Sequence, residues 1–406
     1  MRFSIKTIKL AFFFLFVPGS LYAFLVGGPT RAANSTRVHA YQPAIPRGIS
    51  PKLWRKLIPA DNPMTAEKVA LGESLYFDKR LSADGTVSCA TCHDPATAFA
   101  DNKALAVGVS DKVGTRNAPT ILNAMFNEQL FWDGRAPSLE EQAKQPLINP
   151  LEMGMPGYDV LIARLSAIPE YRQGFRQVFG EEEITLDRIV KAIAAFERTQ
   201  LTGNSPFDRF IEGDSPALTP AQKRGWELFR GKAKCSECHT FNSSAPFFTD
   251  AGFHNTGVAT KNTNFDRLIL AARKFQTSKP ERRRAANTLA HTQAVSELGR
   301  YLVTGQAKDI GAFKTPTLRD IELTAPYMHN ASEKTLLDVV RFYNRGGEPN
   351  AHLDQRMRPL NLTDEEMNHL VEFMRALTSD EVMRRAQTAR PQTRAAVFLN
   401  TPTARR

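Results

Sequence analysis

The 406-residue sequence holds only four cysteines, which excludes a disulfide-stapled scaffold at this length. Alternating apolar and polar stretches are scarce, which argues against a sandwich or barrel of short strands. No acidic residue precedes Asp61, and only one, Glu381, follows Asp380. The excess of 53 Lys+Arg over 42 Asp+Glu, a formal charge of +11, therefore belongs to the two ends. The stretch from Asp61 to Asp380 is slightly acidic, which removes the main support for a nucleic-acid-binding core. A composition of 42% hydrophobic and 23% charged residues is that of a folded chain, and the length suits two domains.

Long apolar runs are also few. The longest lies at the N-terminus, where Arg2, Lys6 and Lys9 precede Leu10–Val17, Pro18-Gly19-Ser20 and Leu21–Val26. Basic residues ahead of an apolar run are the mark of an export signal. The run from 10 to 26 has about the shortest length that spans a bilayer, so residues 1–34 are expected to be a signal peptide or an N-terminal membrane anchor. The expected location is the periplasm. Residues 35–57 are polar and turn-rich and read as a linker.

All four cysteines fall in two copies of one pattern, Cys89-Ala90-Thr91-Cys92-His93 and Cys235-Ser236-Glu237-Cys238-His239. Cys-x-x-Cys-His is the spacing of c-type haem attachment, in which two thiols bond the porphyrin edge and the adjacent His ligates iron. A zinc half-site or a redox pair is the alternative, although neither copy has a second Cys pair at zinc-ribbon spacing. The flanks repeat as well. Thr65-Ala66 and Gly72-Glu73-Ser74-Leu75-Tyr76-Phe77 precede the first copy; Thr219-Pro220 and Gly225-Trp226-Glu227-Leu228-Phe229 precede the second. Phe99-Ala100-Asp101 and Phe248-Thr249-Asp250 follow them. Such self-similarity means duplication of a whole domain. The expected fold is mainly α: two c-type cytochrome-like haem domains related by duplication and packed against each other, over 58–210 and 211–380, with a basic tail at 381–406. Thr65 and Thr219 are expected N-caps. Ser138-Leu139-Glu140-Glu141 and Thr363-Asp364-Glu365-Glu366 read as capping boxes, the latter opening a helix with Met367, Leu370, Val371, Met374 and Leu377 on one face.

Each motif His supplies one axial ligand, and the opposite face decides function. Two filled irons make an electron carrier; one open iron makes a peroxide or oxygen enzyme. Lone histidines such as His254, His291 and His352 read as surface or hydrogen-bonding residues.

From Pro59 to Ser379 the sequence resembles the bacterial di-haem cytochrome c peroxidases and their MauG-type relatives. The resemblance rests on both haem motifs, Asn117-Ala118-Pro119-Thr120, Phe131-Trp132-Asp133-Gly134-Arg135-Ala136, Asn149-Pro150-Leu151-Glu152-Met153, Phe313-Lys314-Thr315-Pro316-Thr317-Leu318-Arg319 and Thr324-Ala325-Pro326-Tyr327-Met328-His329. It implies a peroxidatic haem on His93, an electron-transfer haem on His239 and Trp132 as relay between them. It also implies a calcium ion held by Asn117 and the carbonyls of Thr324 and Pro326. A peroxide pocket with Glu152 and Pro146 follows on the same ground, with Glu152 as the proton-transfer group.

Two positions set the subgroup. Where peroxidases that need reductive activation carry a capping His, ungapped alignment from His93 places Val109, which cannot ligate. Where they carry a Met ligand to the second haem, Tyr343 aligns, as in the MauG type; Met328 and Met357 are rival ligands. An anionic phenolate lowers an iron potential. The expected activity is reduction of hydrogen peroxide with electrons from a small cytochrome c or cupredoxin. The alternatives are a MauG-type oxidase acting on a partner protein and a non-enzymatic di-haem carrier. Lys261 to Arg284 departs from the family pattern as a basic insertion, read as a solvated loop or helix or as a donor-docking patch.

Overall fold

The computed structural model describes residues 41–388 apart from 243, 261–263 and 274–278, and no side chain from 279 to 284. The expected signal or anchor, the start of the linker and the tail beyond residue 388 lie outside the described residues. So do Lys261, Lys274 and the side chains of Lys279, Arg282, Arg283 and Arg284 of the basic insertion.

The chain is mainly α. In order come α1 (Pro51–Lys56), α2 (Ala66–Phe77), α3 (Cys89–Cys92), α4 (Leu139–Ile148), α5 (Tyr158–Ser166), α6 (Pro169–Phe179) and α7 (Leu186–Glu197). The second half continues with α8 (Pro206–Ile211), α9 (Pro220–Arg230), α10 (Phe265–Arg273), α11 (Lys279–Ala290), α12 (Tyr301–Thr304), α13 (Leu336–Asn344), α14 (Asp364–Arg375) and α15 (Asp380–Thr388). Two short strands, β1 (Phe253–His254) and β2 (Phe313–Lys314), pair antiparallel with Phe253 opposite Lys314. Among the described residues no helix is long and apolar enough to cross a membrane.

The two halves share a plan. Thr65 caps α2 by accepting from the Lys68 N–H at 3.1 Å, and Thr219 caps α9 in a full capping box with Gln222 behind Pro220. α2 then lies against α7, and α9 against α14. A glycine makes each crossing possible: a Cβ on Gly72 would strike the Ala192 carbonyl, and one on Gly225 the His369 carbonyl. The repeated Gly in the sequence is therefore the point of closest helix approach in each half. Thr363 and Glu366 form the expected box, and Met367, Leu370, Val371, Met374 and Leu377 are buried. At Ser138 only half a box forms: Ser138 accepts from the Glu141 N–H, but the Glu141 carboxylate turns to Lys144.

Leu71, Leu75, Leu161, Phe175 and Ile189 fill one core of the first half, and Trp54, Tyr76, Phe99, Leu122 and Phe196 another. The second half centres on an aromatic cluster in which Phe207 meets Trp226, Phe241, Phe248 and Phe373 at ring separations of 5.0 to 5.4 Å. Such edge-on pairs add to the burial of fully enclosed rings. Three segments depart from the sequence expectation. Within the supposed linker, α1 buries Trp54, whose Nε1 donates to the Arg198 carbonyl at 3.2 Å. Phe207, grouped with the first half in sequence, sits in the core of the second. At the start of the basic tail, α15 returns Val382 to the core of the first half. Single apolar side chains at helical spacing gave too little periodicity to announce these returns.

Candidate haem cradles and peroxide pocket

Ser88 and Thr91 cap α3 reciprocally, which places Cys89 and Cys92 on one helical turn with His93 directly after it. In the second copy Cys235–Glu237 form a tighter turn. Each His then meets a backbone carbonyl: His93 Nδ1 lies 3.3 Å from Phe99 O, and His239 Nδ1 lies 2.9 Å from Phe248 O. A carbonyl only accepts, so Nδ1 carries the proton and the Nε2 lone pair is left for a metal. Burial lowers the pKa of both rings and keeps them neutral, the ligating form. Phe99 and Phe248 adopt left-handed backbone (φ 58° and 54°), which costs energy for a residue with a Cβ. Both side chains are buried, so core packing holds the strained backbone that presents the carbonyl. This explains why an aromatic follows each motif.

Burial also pushes up the thiols of Cys89, Cys92 and Cys235, the last two to about 12. A redox pair or zinc site needs thiolates, so the environment favours neither. The only three-residue cluster of metal-binding type among the described residues is Cys238, Asp250 and His254. Its sulfur belongs to a Cys-x-x-Cys-His motif, which commits it to the porphyrin edge. One continuous, mostly apolar cavity runs past both motifs. Neutral imidazoles with a free Nε2, paired thiols beside each, and an apolar enclosure fit two covalently attached haems.

At the first cradle the cavity is lined by Gln142, Pro146 and Glu152. Gln142 and Pro146 lie four residues apart on α4 and share a face. Burial raises the Glu152 pKa, while Arg135 and an Asn149 hydrogen bond oppose the rise. Val109 is buried in the first core, and its N–H donates to the Glu152 carbonyl at 2.8 Å, so it supports the Glu152 segment from behind. Behind Arg135 lies a buried charge cluster: Asp133, fully enclosed, accepts from Arg116 at 2.8 Å and from Arg135 at 3.0 Å. Burial raises the Asp133 carboxyl, but Arg135 and Arg116 overcome it and bring the pKa down to about 2. Glu197 also lines this cradle; burial lifts its pKa to about 8, and its Oε2 has no partner among the described residues.

Trp132 is held from both halves. Its Nε1 donates to the Asn117 carbonyl at 2.9 Å, and its carbonyl accepts from the Lys314 N–H at 2.8 Å. Asn117 is buried; its Nδ2 donates to the Lys103 carbonyl at 2.9 Å, and its Oδ1 accepts nothing among the described residues. Thr324 and Pro326 line the same cavity as Asn117.

At the second cradle Tyr343, on α13, lines the cavity with Met328 and Met357. Its hydroxyl has no hydrogen-bond partner among the described residues, and burial together with Cys238 and Cys235 raises its pKa. His254 is a hydrogen-bonding residue here: Nε2 lies 2.8 Å from Asp250 and Nδ1 2.8 Å from Asp354, which Arg356 also binds. Burial disfavours its charge, yet Asp250 and Cys238 raise its pKa to about 10. Sequence reasoning missed Gln142, Glu197 and this network. Gln142 alone had a local signal, its helical spacing from Pro146.

Residues 66–216 match the family described as di-haem cytochrome c peroxidase. The chain is 37% identical over 358 residues to the cytochrome-c peroxidase IdrP1 of Pseudomonas sp. (strain SCT), covering 86% of this chain and 89% of that one. It is 38% identical over 323 residues to the methylamine utilization protein MauG of Methylorubrum extorquens, covering 79% and 81%. The crystal structure of a MauG-like protein associated with microbial copper homeostasis superposes with a TM-score of 0.67 at 31% identity, over 87% of this chain and 99% of that one. The diheme peroxidase BthA of Burkholderia thailandensis shares the fold, with a TM-score of 0.62 at 24% identity over 79% of this chain and 88% of its own. The chain belongs to the di-haem cytochrome c peroxidase family and is an oxidoreductase of that type.

Proposed function

We propose that the chain is an exported peroxidase that reduces hydrogen peroxide at the His93 haem, with electrons from an external donor passing by way of the His239 haem and Trp132. The observation that carries this is an asymmetry. Both cradles present a neutral His, but the first is faced by Glu152 and Pro146 and the second by the unpartnered hydroxyl of Tyr343. When bound, the haems would supply the iron that activates the O–O bond and would hold the two oxidising equivalents until two electrons from the donor consume them.

The chain's own residues handle the protons and the geometry. Glu152 takes a proton from one peroxide oxygen and returns it to the leaving one, and a carboxyl whose pKa burial has raised gives that proton up less readily to solvent than an exposed one. Arg135 keeps that carboxyl ionisable. Pro146 lacks an N–H, so its segment of α4 adds an apolar wall and no competing donor. Two electrons and two protons convert each peroxide to two waters. Trp132, fixed at both ends, keeps one ring orientation where the halves meet, as a relay requires. Tyr343 would hold the second iron; burial disfavours a free phenolate, so ionisation draws on the charge of the metal. The free Asn117 Oδ1, with the carbonyls of Thr324 and Pro326, offers hard oxygen ligands to calcium.

The donor is a small cytochrome c or cupredoxin. A MauG-type oxidase acting on a partner protein is the second reading, favoured by Tyr343 in place of Met. In rapid mixing, the oxidised protein is expected to react with peroxide without prior reduction, since Val109 offers no cap. Inactivity until one haem is reduced would contradict this.

A further inference from the structure

The repeat around the haem motifs extends to a second pair of segments. Thr120 Oγ1 donates to the Ala98 carbonyl at 2.6 Å, and Thr317 Oγ1 to the Phe247 carbonyl at 2.7 Å. In each half the acceptor is the residue before the Phe whose carbonyl meets the motif His. Asn117-Ala118-Pro119-Thr120 and Lys314-Thr315-Pro316-Thr317 therefore occupy equivalent places, and Lys314 stands where the first half has Asn117. Both line the cavity, and both bond Trp132, whose Nε1 donates to the Asn117 carbonyl and whose carbonyl accepts from the Lys314 N–H. One copy supplies a side-chain oxygen at this place, the other an ammonium.

That ammonium lacks a counter-charge. Among the described residues Nζ reaches only Asn127 Oδ1, at 3.4 Å, a long contact to a neutral group. Every other lysine or arginine lining the cavity has a carboxylate: Asp133 serves Arg116 and Arg135, Asp208 serves Arg319, Asp354 serves Arg356, and Glu237 serves Lys234 and Arg358. The cavity wall is mostly apolar, and burial alone pushes the Lys314 pKa down to about 8. A cation in such a place is costly until an anion joins it. Each haem carries two propionate carboxylates, which bear the same cost with the opposite sign. We propose that Lys314 binds a haem propionate, as the cation of an ion pair that is completed when haem is attached. The first and the second haem are the two sources of such a carboxylate, and the test separates them. The pairing requires attached haem and is independent of the roles given to Glu152 and Tyr343.

The test is redox-difference infrared spectroscopy of the holoprotein with isotope-labelled haem propionates, the two haems being followed by their visible bands in the same titration. The label separates the propionates from the carboxylates of the protein. In Lys314→Met one labelled band should shift, and the midpoint potential of the haem that owns it should fall, because loss of a nearby positive charge favours ferric iron. At a fixed potential the ferric-to-ferrous ratio of that haem should rise roughly tenfold. A shifted band that appears with reduction of the first haem assigns the propionate to the first; one that appears with the second assigns it to the second. Lys314→Arg keeps the charge and should hold the midpoint near native. Native labelled bands in Lys314→Met overturn the proposal, even if a midpoint moves, since the ammonium then acts without contact; an Arg variant displaced as far as Met overturns it too. Should the Met variant fail to take up both haems, Lys314→Gln keeps a donor without the charge and makes the same comparison, and native bands there overturn the proposal.

Discussion

His93 and His239 are turned by the same device, a carbonyl carried on left-handed backbone and pinned by a buried Phe side chain. The faces opposite them differ. The first is lined by Glu152, Pro146 and Gln142, with His291 from the other half; the second carries Tyr343, Met328 and Met357, with His254 set between two carboxylates. Duplication thus kept the part that holds a haem and left the other face free to diverge. A site that handles protons and a site that supplies an axial ligand could then arise on one scaffold.

The largest expected effect is at the first face. Glu152→Gln should slow the reaction of peroxide with the oxidised protein about 10²- to 10⁴-fold in stopped flow, with both haems still attached. A rate within a few-fold of native would remove the distinction between the faces.

Next is the support behind that face. Asp133→Asn leaves Arg116 and Arg135 buried without a counter-charge and should cost about 3–5 kcal/mol in denaturant unfolding, well beyond the loss of an exposed pair such as Arg176–Glu182.

Glu197 supplies a smaller effect with a defined sign. Its folded pKa of about 8 lies above the ordinary 4.5, so folding favours the protonated acid. Its contribution is fully present below pH 4.5 and is lost as the pH rises through 8, on the order of a few kcal/mol in all. Melting temperature against pH should fall over that window in the native protein, and Glu197→Gln should flatten the curve.

The smallest effect is at Trp132. Trp132→Phe keeps a ring but loses the Nε1 donor to Asn117, and should slow electron exchange between the haems while leaving both absorption spectra close to native.

Much of this was legible in the sequence because it is local. The Cys-x-x-Cys-His motifs and the Thr caps act within a few residues of themselves; Gly72 and Gly225 showed as a repeat, but the carbonyls they admit, of Ala192 and His369, lie far along the chain. Phe99 and Phe248 were visible as a repeat, but not why, since the reason is a carbonyl directed at a ring several residues upstream. His291, Glu197 and the Asp250–His254–Asp354 network were not legible. Each gains meaning from surroundings that folding brings close, as Asn149 is brought to His291 across 142 residues of chain. The exchanged Phe207 and Val382 escaped for the same reason, because one apolar residue does not say which core it enters.

An open face at the first iron and a Tyr343 ligand at the second would give distinct ferric signals. Low-temperature ferric electron paramagnetic resonance of the native protein and of Tyr343→Phe separates them. A high-spin signal from the first haem is expected in both proteins, with a second-haem signal that changes only in the variant. Two low-spin haems with no high-spin component, or a second haem indifferent to Tyr343→Phe, would contradict this assignment.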